Sequence, residues 1–587
     1  MISAELDKLL KVSRATRPLG RPGGGLYFAS NFEGHVQSYE LDGPGAEPRR
    51  ITQTDQRIVP HAPTELGLLM RTDSGGNETW QLMMLEPGGA LRPLTKDPKA
   101  IHQGVVPHPD GRRAALGWNP GGQRDVILGE LDLATGELTA WCCPGLFWSV
   151  FDWSPDGTRL AVTKQFGSLN EAYLLDRDGT LTRVLPGARR VDLHWTAAGL
   201  FALSDYESDF FGCLCEVDPD DPAEPRRWVH RLDRDIEALV PDHAGTRAAL
   251  IVNDGVYDQI QILDLRSGKA EVETGLGKGV VIGDHSGAAE YHVNWSADDG
   301  TLFAAWDRAT QPADILSWPG GERWTRVNPE PGPGLVEPIE TTYKTFDGLQ
   351  IPALLYRVDD RPRPAVVYFH GGPEGQSRGE YRPIYHLLTS AGINVLAPNV
   401  RGSTGYGYRF QALDDKTLRW NSVRDGCAGG RHLLESGLAT RVAAMGGSYG
   451  GFMTLAVIVE DPDLWSAAVD LVGIANWKSF FENMGPWRRA LRLQEYGDPN
   501  GAESDFLYEI SPLHRAHLIK APLLILHGRN DPRVPVQETV QMAAAAKDVE
   551  LMIFEDEGHG ITRHVNMVSS NSRILAFLEE KLLGKPR

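Results

Sequence analysis

The chain has 587 residues, a formal net charge of −19 and an apolar content of 41%. A chain of this length exceeds what one hydrophobic core supports, so we expect two or more domains. The acidic balance argues against nucleic acid as a main partner, because a phosphate backbone requires a basic protein face. The sequence contains no run of about 18 apolar residues, which argues against a membrane span.

The first 19 residues are predicted to form a helical extension. Leu6, Leu9, Leu10 and Val12 recur with the spacing of one helix face, and we expect that face to pack on the C-terminal domain. Acidic residues come early and no apolar block precedes a small-residue cleavage site, so we expect no signal peptide. The five cysteines form no CxxC pair. Together these features favour a cytoplasmic protein with reduced thiols.

A strand–turn–strand unit recurs loosely between residues 20 and 327. Seven copies can be read, and "GLYFAS…QSYELDG" from residue 25 and "RLAVTK…AYLLDRDG" from residue 159 are typical of them. A period of roughly 40 to 50 residues is that of a four-stranded propeller blade. The repeat therefore predicts a seven-bladed β-propeller over residues 20–327. The alternative, a generic β-sandwich, does not produce evenly spaced copies of one unit.

The composition changes at "NPEPGPGLVEPIE", which starts at residue 328 and is rich in proline and glycine. Such a segment indicates a domain boundary. Beyond it, apolar strands alternate with helical segments, and the predicted strands read "PAVVYF", "INVLAP", "RVAAMGG", "AAVDLV", "PLLILHG" and "VELMIF". This alternation predicts an α/β domain over residues 328–587, with a mainly parallel sheet and a site where the strands end.

A serine surrounded by glycines lies between one of these strands and a helical segment. The run "GGSYG", residues 446–450, fits the G-x-S-x-G pattern of a nucleophile elbow. Glycines allow the backbone segments to approach each other, so the Ser448 side chain can be held exposed on a strained turn. The pattern alone is also found in ordinary turns, but its position between strand and helix favours a nucleophile.

A serine nucleophile needs a histidine that accepts its proton and an acid that orients the histidine. Asp531 follows the strand "LLILHG" and His559 follows the strand "LMIF", in the chain order expected for this fold. The pattern therefore predicts a triad of Ser448, Asp531 and His559. The other acidic residues close to the histidine are interpreted as loop surface: Glu555, Asp556 and Glu557.

Acyl transfer also requires hydrogen-bond donors for the developing oxyanion. The backbone N–H of Tyr449, directly after the nucleophile, is one candidate. The loop "HGGP", residues 370–373, follows an early apolar strand and is expected to supply the second amide. The alternative for this loop is a tight turn without a role in binding.

The motif set resembles one known family. A propeller followed by "HGGP", "RGSTGYG", "GGSYGG", "GRNDPRVP" and "DEGHG" resembles the prolyl oligopeptidase family of serine peptidases, and the acylaminoacyl-peptidase branch in particular. The resemblance covers almost the whole chain. It implies a seven-bladed propeller and an α/β-hydrolase domain, peptidase activity without metal or cofactor, and Arg533 as a residue that holds the substrate backbone. It also implies roles for five further residues: the triad Ser448, Asp531 and His559, and the oxyanion amides of Gly372 and Tyr449. The alternative role for Arg533 is a salt bridge that orders its loop.

The segment "ANWKSFFENMGPWRRALRLQEYG", residues 475–497, is predicted to line the pocket for the residue before the cleaved bond. Its aromatic residues suit an apolar side chain: Trp477, Phe480, Phe481 and Trp487. Arg488 and Arg492 share a face if this stretch is helical, and an arginine facing the cleft would bind a carboxylate. The site would then prefer an acidic residue or a C-terminal carboxylate. The alternative is a solvated helix face paired with Glu482 or Glu495.

The sequence thus predicts a serine peptidase that cleaves short peptides, with the propeller excluding folded proteins. A carboxypeptidase, a general esterase and an inactive relic are the alternatives. A dipeptidyl peptidase is disfavoured, because only Glu207 stands where that group has two adjacent glutamates. The expected partners are short peptide substrates, without nucleic acid or membrane, and assembly into a homo-oligomer stays open, as does side-chain preference.

Overall fold

The computed structural model of the protein describes residues 8–9, 11–121, 123, 125–167, 169–284, 290–328 and 335–585. Residues 1–7 and 10 of the predicted helical extension and residues 329–334 of the linker lie outside the described residues. The extension was predicted to be helical up to residue 19, and this is wrong for its last residues, because Ala15–Gly20 is a β-strand. Within the predicted extension, Leu9 is buried in a cluster with Ile384 and Leu582 of the C-terminal domain. None of the helices in the described part of the chain is long and apolar enough to cross a membrane.

In the described residues of the N-terminal part, seven antiparallel sheets of four or five strands follow one another along the chain as the blades of a propeller. This confirms the predicted seven-bladed fold. A separate two-stranded sheet is formed by Gly283–Asp284 and Glu290–Tyr291. Blade 1 consists of Ala15–Gly20, Leu26–Ser30, Gln37–Leu41 and Arg49–Arg50, and blade 2 of Arg57–Thr64, Gly67–Asp73, Gln81–Leu85 and Leu91–Pro93. Blade 3 consists of Ile101–Pro107, Arg113–Asn119, Val126–Asp132 and Leu138–Gly145, and blade 4 of Trp148–Trp153, Arg159–Phe166, Leu169–Asp176 and Leu181–Val184. Blade 5 consists of Val191–Thr196, Gly199–Ser204, Cys213–Asp218 and Asp221–Arg231, and blade 6 of Ile236–Pro241, Arg247–Asp254, Tyr257–Asp264 and Ala270–Val272. Blade 7 consists of Val280–Val281, Val293–Trp295, Leu302–Arg308, Gln311–Trp318 and Glu322–Arg323.

The repeat visible in the sequence corresponds to the second and third strands of each blade. These strands are almost fully buried, as in Arg113–Asn119 and Arg247–Asp254, because neighbouring blades cover both of their faces. The first blade starts at Ala15, where its first strand pairs with Leu26–Ser30, and not at residue 20. This strand lacks the small-residue pattern of the repeated unit, which is why the sequence placed the boundary too late.

Blade 7 explains the longer spacing of the last repeat. Two short segments, Val280–Val281 and Val293–Trp295, both pair with Leu302–Arg308, so extra chain lies between them. Blade 7 meets blade 1 through a buried cluster that contains Phe28, Phe303 and Ile315. The ring is therefore closed by apolar packing between its first and last blades.

The C-terminal domain contains one eight-stranded sheet, whose strands we number β1 to β8. They are Ile339–Lys344, Gln350–Tyr356, Arg363–Phe369, Asn394–Pro398, Ala439–Gly447, Trp465–Leu471, Leu523–Gly528 and Val549–Phe554. The order in the sheet is β1-β2-β4-β3-β5-β6-β7-β8, with β2 antiparallel to its neighbours and β3 to β8 parallel. All six predicted strands are present, so the predicted α/β domain is confirmed.

Helices cover both faces of this sheet. Numbered α1 to α9, they are Pro383–Ser390, Tyr408–Gln411, Trp420–Glu435, Tyr449–Glu460, Trp477–Asn483, Pro486–Tyr496, Ser504–Glu509, Gln537–Ala545 and His564–Leu583. Short 3-10 segments are Ala412–Asp414, Lys416–Leu418 and Pro512–Leu518. Successive strand residues enter different cores, since Val367 and Ala444 belong to one apolar cluster and Val366 and Ala443 to the other. Burial on both faces fixes the carboxyl edge of the sheet, where the predicted site lies.

Candidate active site

The predicted nucleophile stands on a strained turn between β5 and α4. Ser448 has φ 61° and ψ −120°, a left-handed conformation that is costly for a residue with a side chain. The neighbouring glycines make this turn possible, because a Cβ on Gly450 would lie 2.1 Å from the carbonyl oxygen of Phe369. The Ser448 N–H donates to the carbonyl of Leu471 at 2.8 Å, which attaches the turn to β6. The local geometry is that of a nucleophile elbow.

The predicted acid and base are in direct contact. Nδ1 of His559 lies 2.7 Å from Oδ2 of Asp531, where a protonated Nδ1 donates a hydrogen bond to the carboxylate. Asp531 follows β7 and His559 follows β8, so both reach the carboxyl edge of the sheet at which Ser448 stands. The contact leaves Nε2 of His559 as the nitrogen that would serve a nucleophile.

The carboxylate of Asp531 is held by its own loop. Its Oδ1 accepts hydrogen bonds from the N–H of Arg533 at 2.7 Å and of Val534 at 3.0 Å. A second imidazole, that of His527, lies 3.4 Å from Oδ2. Burial alone would raise the pKa of Asp531, but His559 and His527 outweigh it and hold the pKa well below its usual range. The acid therefore stays ionised and fixes the orientation of His559.

The predicted oxyanion loop lies against the elbow. A Cβ on Gly371 would be 3.5 Å from the Cβ of Ser448, so the loop backbone passes directly beside the nucleophile. Gly372 has φ 140°, and a side chain there would meet the N–H of Glu374 at 2.6 Å. Tyr449 is the first residue of α4, so its N–H belongs to the helix end whose amides lack intrahelical acceptors. The two predicted amides are thus on the segments that border Ser448.

Comparisons with known proteins agree with this arrangement. Residues 380–585 match the prolyl oligopeptidase family. This match covers most of the C-terminal domain. Dipeptidyl aminopeptidase BIII of Pseudoxanthomonas mexicana is 36% identical over 244 residues, which are 38% of this chain and 34% of that protein. Acylamino-acid-releasing enzyme 2 of Oryza sativa subsp. japonica is 31% identical over 218 residues, 35% of this chain and 28% of that protein. The match thus spans about a third of the length of each of these relatives.

Solved structures extend the likeness to the whole fold. A puromycin-hydrolysing peptidase of Mycobacterium tuberculosis superimposes with a TM-score of 0.85 and 21% identity, covering 99% of this chain and 96% of that one. The acylaminoacyl peptidase of Pyrococcus horikoshii gives a TM-score of 0.73 with 17% identity, covering 100% and 98% of the two chains. At these identities the likeness shows a shared fold: the family domain behind a seven-bladed propeller.

The aromatic residues predicted to line the substrate pocket are packed into one cluster. Trp477 has no exposed surface, and Phe480 and Phe481 are exposed by 3% and 1%. The ring of Trp477 lies 4.6 Å from that of Tyr496 on α6, whose hydroxyl donates to the carbonyl of Gly372 at 3.2 Å. These residues therefore belong to the core beneath the oxyanion loop, and their contact with substrate stays a prediction. The side chain of Trp487 lies outside the described residues.

Arg533 and Arg488 meet at one acidic side chain from the propeller. Nε of Arg533 donates to Oε1 of Glu78 at 2.8 Å, and Arg488 donates to Oε2 of the same carboxylate. Burial alone would raise the pKa of Glu78, but Arg533 and Arg488 outweigh it and lower the pKa. Burial disfavours the charged guanidinium and lowers the pKa of Arg488 to about 10. The alternative to carboxylate binding was a pairing of the arginine face with Glu482 or Glu495, whereas the salt bridge of Arg488 is made with Glu78. Substrate binding by Arg488 stays a prediction.

The ion pairs of Arg492 agree better with the alternative, in which the arginines pair with Glu482 or Glu495. Its Nη1 lies 3.6 Å from Oε2 of Glu495 and 3.8 Å from Oε2 of Glu374 in the oxyanion loop. The stretch that carries both arginines is helical, as the shared face requires, and forms α6, Pro486–Tyr496. Arg492 is thus an ion-pair partner of two acids from its own domain.

The acids around His559 were interpreted as loop surface, and for Glu557 this interpretation is wrong because its side chain is buried. Glu557 is exposed by only 2% and accepts hydrogen bonds from the backbone N–H groups of Thr562 and Arg563. It is buried because it satisfies the amides just before α9, whereas Glu555 pairs with Arg529 and is exposed. Glu78 was missed entirely, since neither periodicity nor motif distinguishes it from other loop acids.

Proposed function

We propose that the chain is a serine peptidase that hydrolyses short peptides through an acyl-enzyme at Ser448. The observation that carries this proposal is the 2.7 Å contact of His559 with Asp531 at the sheet edge where Ser448 stands on a strained elbow. The family match of residues 380–585 supports the same chemistry. An inactive relic would have no reason to retain an ionised acid, an oriented imidazole and a strained serine together.

The proposed reaction has two steps. Nε2 of His559 takes the proton from Ser448 as its oxygen attacks the substrate carbonyl, and Asp531 stabilises the resulting imidazolium. The N–H groups of Gly372 and Tyr449 donate to the oxyanion. His559 then gives the proton to the leaving amine, and water repeats the sequence on the acyl-enzyme. Every proton is moved by His559, so the scheme requires no metal or cofactor.

The propeller is proposed to restrict access to Ser448. A loop of blade 2 packs on the loop that carries His559: a Cβ on Gly76 would lie 3.1 Å from the N–H nitrogen of Gly558. Contact this close leaves no room for a folded protein between the two domains at that side. We therefore expect cleavage of peptides of up to a few tens of residues and no digestion of a stable folded protein.

Labelling with a fluorophosphonate probe tests the nucleophile. The wild-type chain should be modified at Ser448, as identified by mass spectrometry of the labelled peptide. Ser448→Ala should lose labelling and at least about 10³-fold of its peptidase activity, since the attacking oxygen is removed. A chain that folds but takes up no probe would refute the proposal.

Product mapping on matched peptides tests which end of the substrate is used. The relatives' names include acylamino-acid release, dipeptidyl aminopeptidase and puromycin hydrolysis, so the set comprises N-acetylated and free-amine versions of one peptide, together with puromycin. We expect hydrolysis of N-acetylated peptides. Exclusive cleavage of free-amine peptides two residues from the start would favour the dipeptidyl alternative. Rapid hydrolysis of simple esters with no peptide cleavage would favour the esterase.

A further inference from the structure

The ion cluster formed by Glu78, Arg488 and Arg533 joins the propeller to the active-site loops. Glu78 lies between the second and third strands of blade 2 with φ 57°, and its N–H donates to Asp73 at 3.2 Å. Its side chain is exposed by 13% and that of Arg488 by 11%, so the carboxylate is largely withdrawn from solvent. The loop conformation is unfavourable for glutamate, yet it delivers the carboxylate to the two guanidiniums.

This cluster adjoins the loops that carry Asp531 and His559: a Cβ on Gly76, two residues before Glu78, would lie 3.1 Å from the N–H nitrogen of Gly558. The backbone N–H of Arg533 binds the carboxylate of Asp531 at 2.7 Å, so the arginine belongs to the acid's own loop. The charge of His559 helps to lower the pKa of Glu78, and the charge of Asp531 acts to raise the pKa of Arg488. Glu78 and Arg488 therefore interact electrostatically with residues of the predicted triad. A substrate bound at Ser448 would therefore meet this group of charges.

Two guanidiniums that converge on one point are suited to bind a carboxylate, since each offers several N–H donors in a fixed plane. In this protein the carboxylate is supplied by Glu78. Both of its oxygens are used, Oε1 by Arg533 and Oε2 by Arg488. A free C-terminal carboxylate or an acidic side chain of the substrate would have to displace Glu78 and leave it as a buried anion without its partners, which is costly.

We propose that Glu78 is a specificity-determining residue that occupies the carboxylate-binding position between Arg488 and Arg533. The site then discriminates against substrates that present a free carboxylate at this position and accepts amidated or extended peptides. The inference rests on the proposed function only in that the ligand is a peptide bound at Ser448. It also gives a reason why a carboxypeptidase specificity is disfavoured despite the arginines of α6.

Peptide binding without turnover tests this proposal. The parent protein is the full chain with Ser448→Ala, and the ligands are acetyl-Phe-Ala with a free carboxylate and the same peptide with a C-terminal amide, measured by calorimetry. In the parent, the amide should bind at least as tightly as the acid. Adding Glu78→Gln, which keeps the shape and removes the charge, should increase the preference for the acid by at least about tenfold.

Two further variants identify the cause. Glu86→Gln removes the same charge from the same blade, where Glu86 pairs with Arg92 on the outside, and should leave the preference unchanged. Arg488→Gln added to Glu78→Gln should abolish the gain. The proposal is overturned if Glu78→Gln leaves the acid-to-amide preference unchanged or fails to bind the acid. A parent that prefers the acid tenfold overturns it independently of how the Glu78 variant folds, whereas failed labelling of Ser448 would refute only the proposed function.

Discussion

The propeller and the C-terminal domain build their structures in opposite ways. In blades 1 to 6 of the propeller the four strands pair in chain order, and the blades pack through apolar side chains such as those joining blade 7 to blade 1. In the C-terminal sheet, β4 lies between β2 and β3, and the candidate site gathers residues that follow β5, β7 and β8. Pairing of strands that are neighbours in the chain produces repeated blades. Pairing of strands that are distant in the chain brings the predicted catalytic residues from several loops to one edge of the sheet.

The largest expected effect belongs to that edge. Asp531→Asn keeps the size of the side chain but removes the charge that fixes the tautomer of His559 and stabilises its protonated form. We expect kcat to fall by about 10³- to 10⁴-fold on a chromogenic peptide, with KM changed little.

Asp556→Asn is the matched control, because Asp556 lies in the same loop as His559 and pairs with Arg563 at 3.2 Å. Its kcat should stay within about twofold of wild type, as expected for an exposed ion pair. A loss of similar size in both variants would show that the loop as a whole, and not the acid–imidazole contact, determines the rate.

In the propeller, by contrast, a substitution should affect stability without affecting chemistry. Phe303 of blade 7 is exposed by 1%, and its ring lies 4.7 Å from that of Trp324. Phe303→Ala should lower the free energy of unfolding by about 3 kcal/mol, since the cavity opens at the junction of the first and last blades. The rate of fluorophosphonate labelling of the folded protein should stay within about twofold.

Phe346→Ala is the control for that experiment, because Phe346 is exposed by 52%. Its unfolding free energy should change by less than about 1 kcal/mol in a denaturant titration. If Phe303→Ala strongly slowed labelling of the folded protein, packing in the propeller would affect the reaction at Ser448 as well as the stability, contrary to this prediction.

The same contrast decides what could be predicted from the sequence. The middle strands of each blade and five of the six predicted strands of the sheet are largely buried, and their apolar residues identified them; the sixth, β8, lies at the end of the sheet and is only partly buried. Several outer strands of the blades are short and polar, as in Arg49–Arg50 and Glu322–Arg323, and carry no such pattern. Asp531 and His559 could be predicted because each lies in the loop after a recognisable strand, in the chain order that follows a nucleophile elbow. Glu78 could not, since it lies 410 residues before Arg488 and its partners come from the other domain.

The smallest expected effect concerns a buried polar group beneath the nucleophile. Asp470 in β6 is fully buried, and a Cβ on Gly451 of α4 would lie 2.4 Å from its Oδ1, so the helix approaches the carboxylate closely. Burial raises the pKa of Asp470 to about 7, an effect that His527 partly opposes. In the unfolded chain an aspartate titrates near its ordinary value of about 3.9.

The sign of the pH dependence follows from that difference. Because the folded pKa is raised, wild-type stability is complete below about pH 4, decreases as the pH rises towards about 7, and stays reduced above it. Asp470→Asn cannot ionise, so the variant should be more stable than wild type by about 2 kcal/mol at about pH 5.5, with an advantage that disappears near pH 4. Asp463→Asn, at an exposed position paired with Lys520, should show no such trend. A difference for Asp470→Asn that is constant with pH would mean that its carboxylate stays ionised in the fold, and that this domain tolerates buried charge at its sheet edge better than burial alone allows.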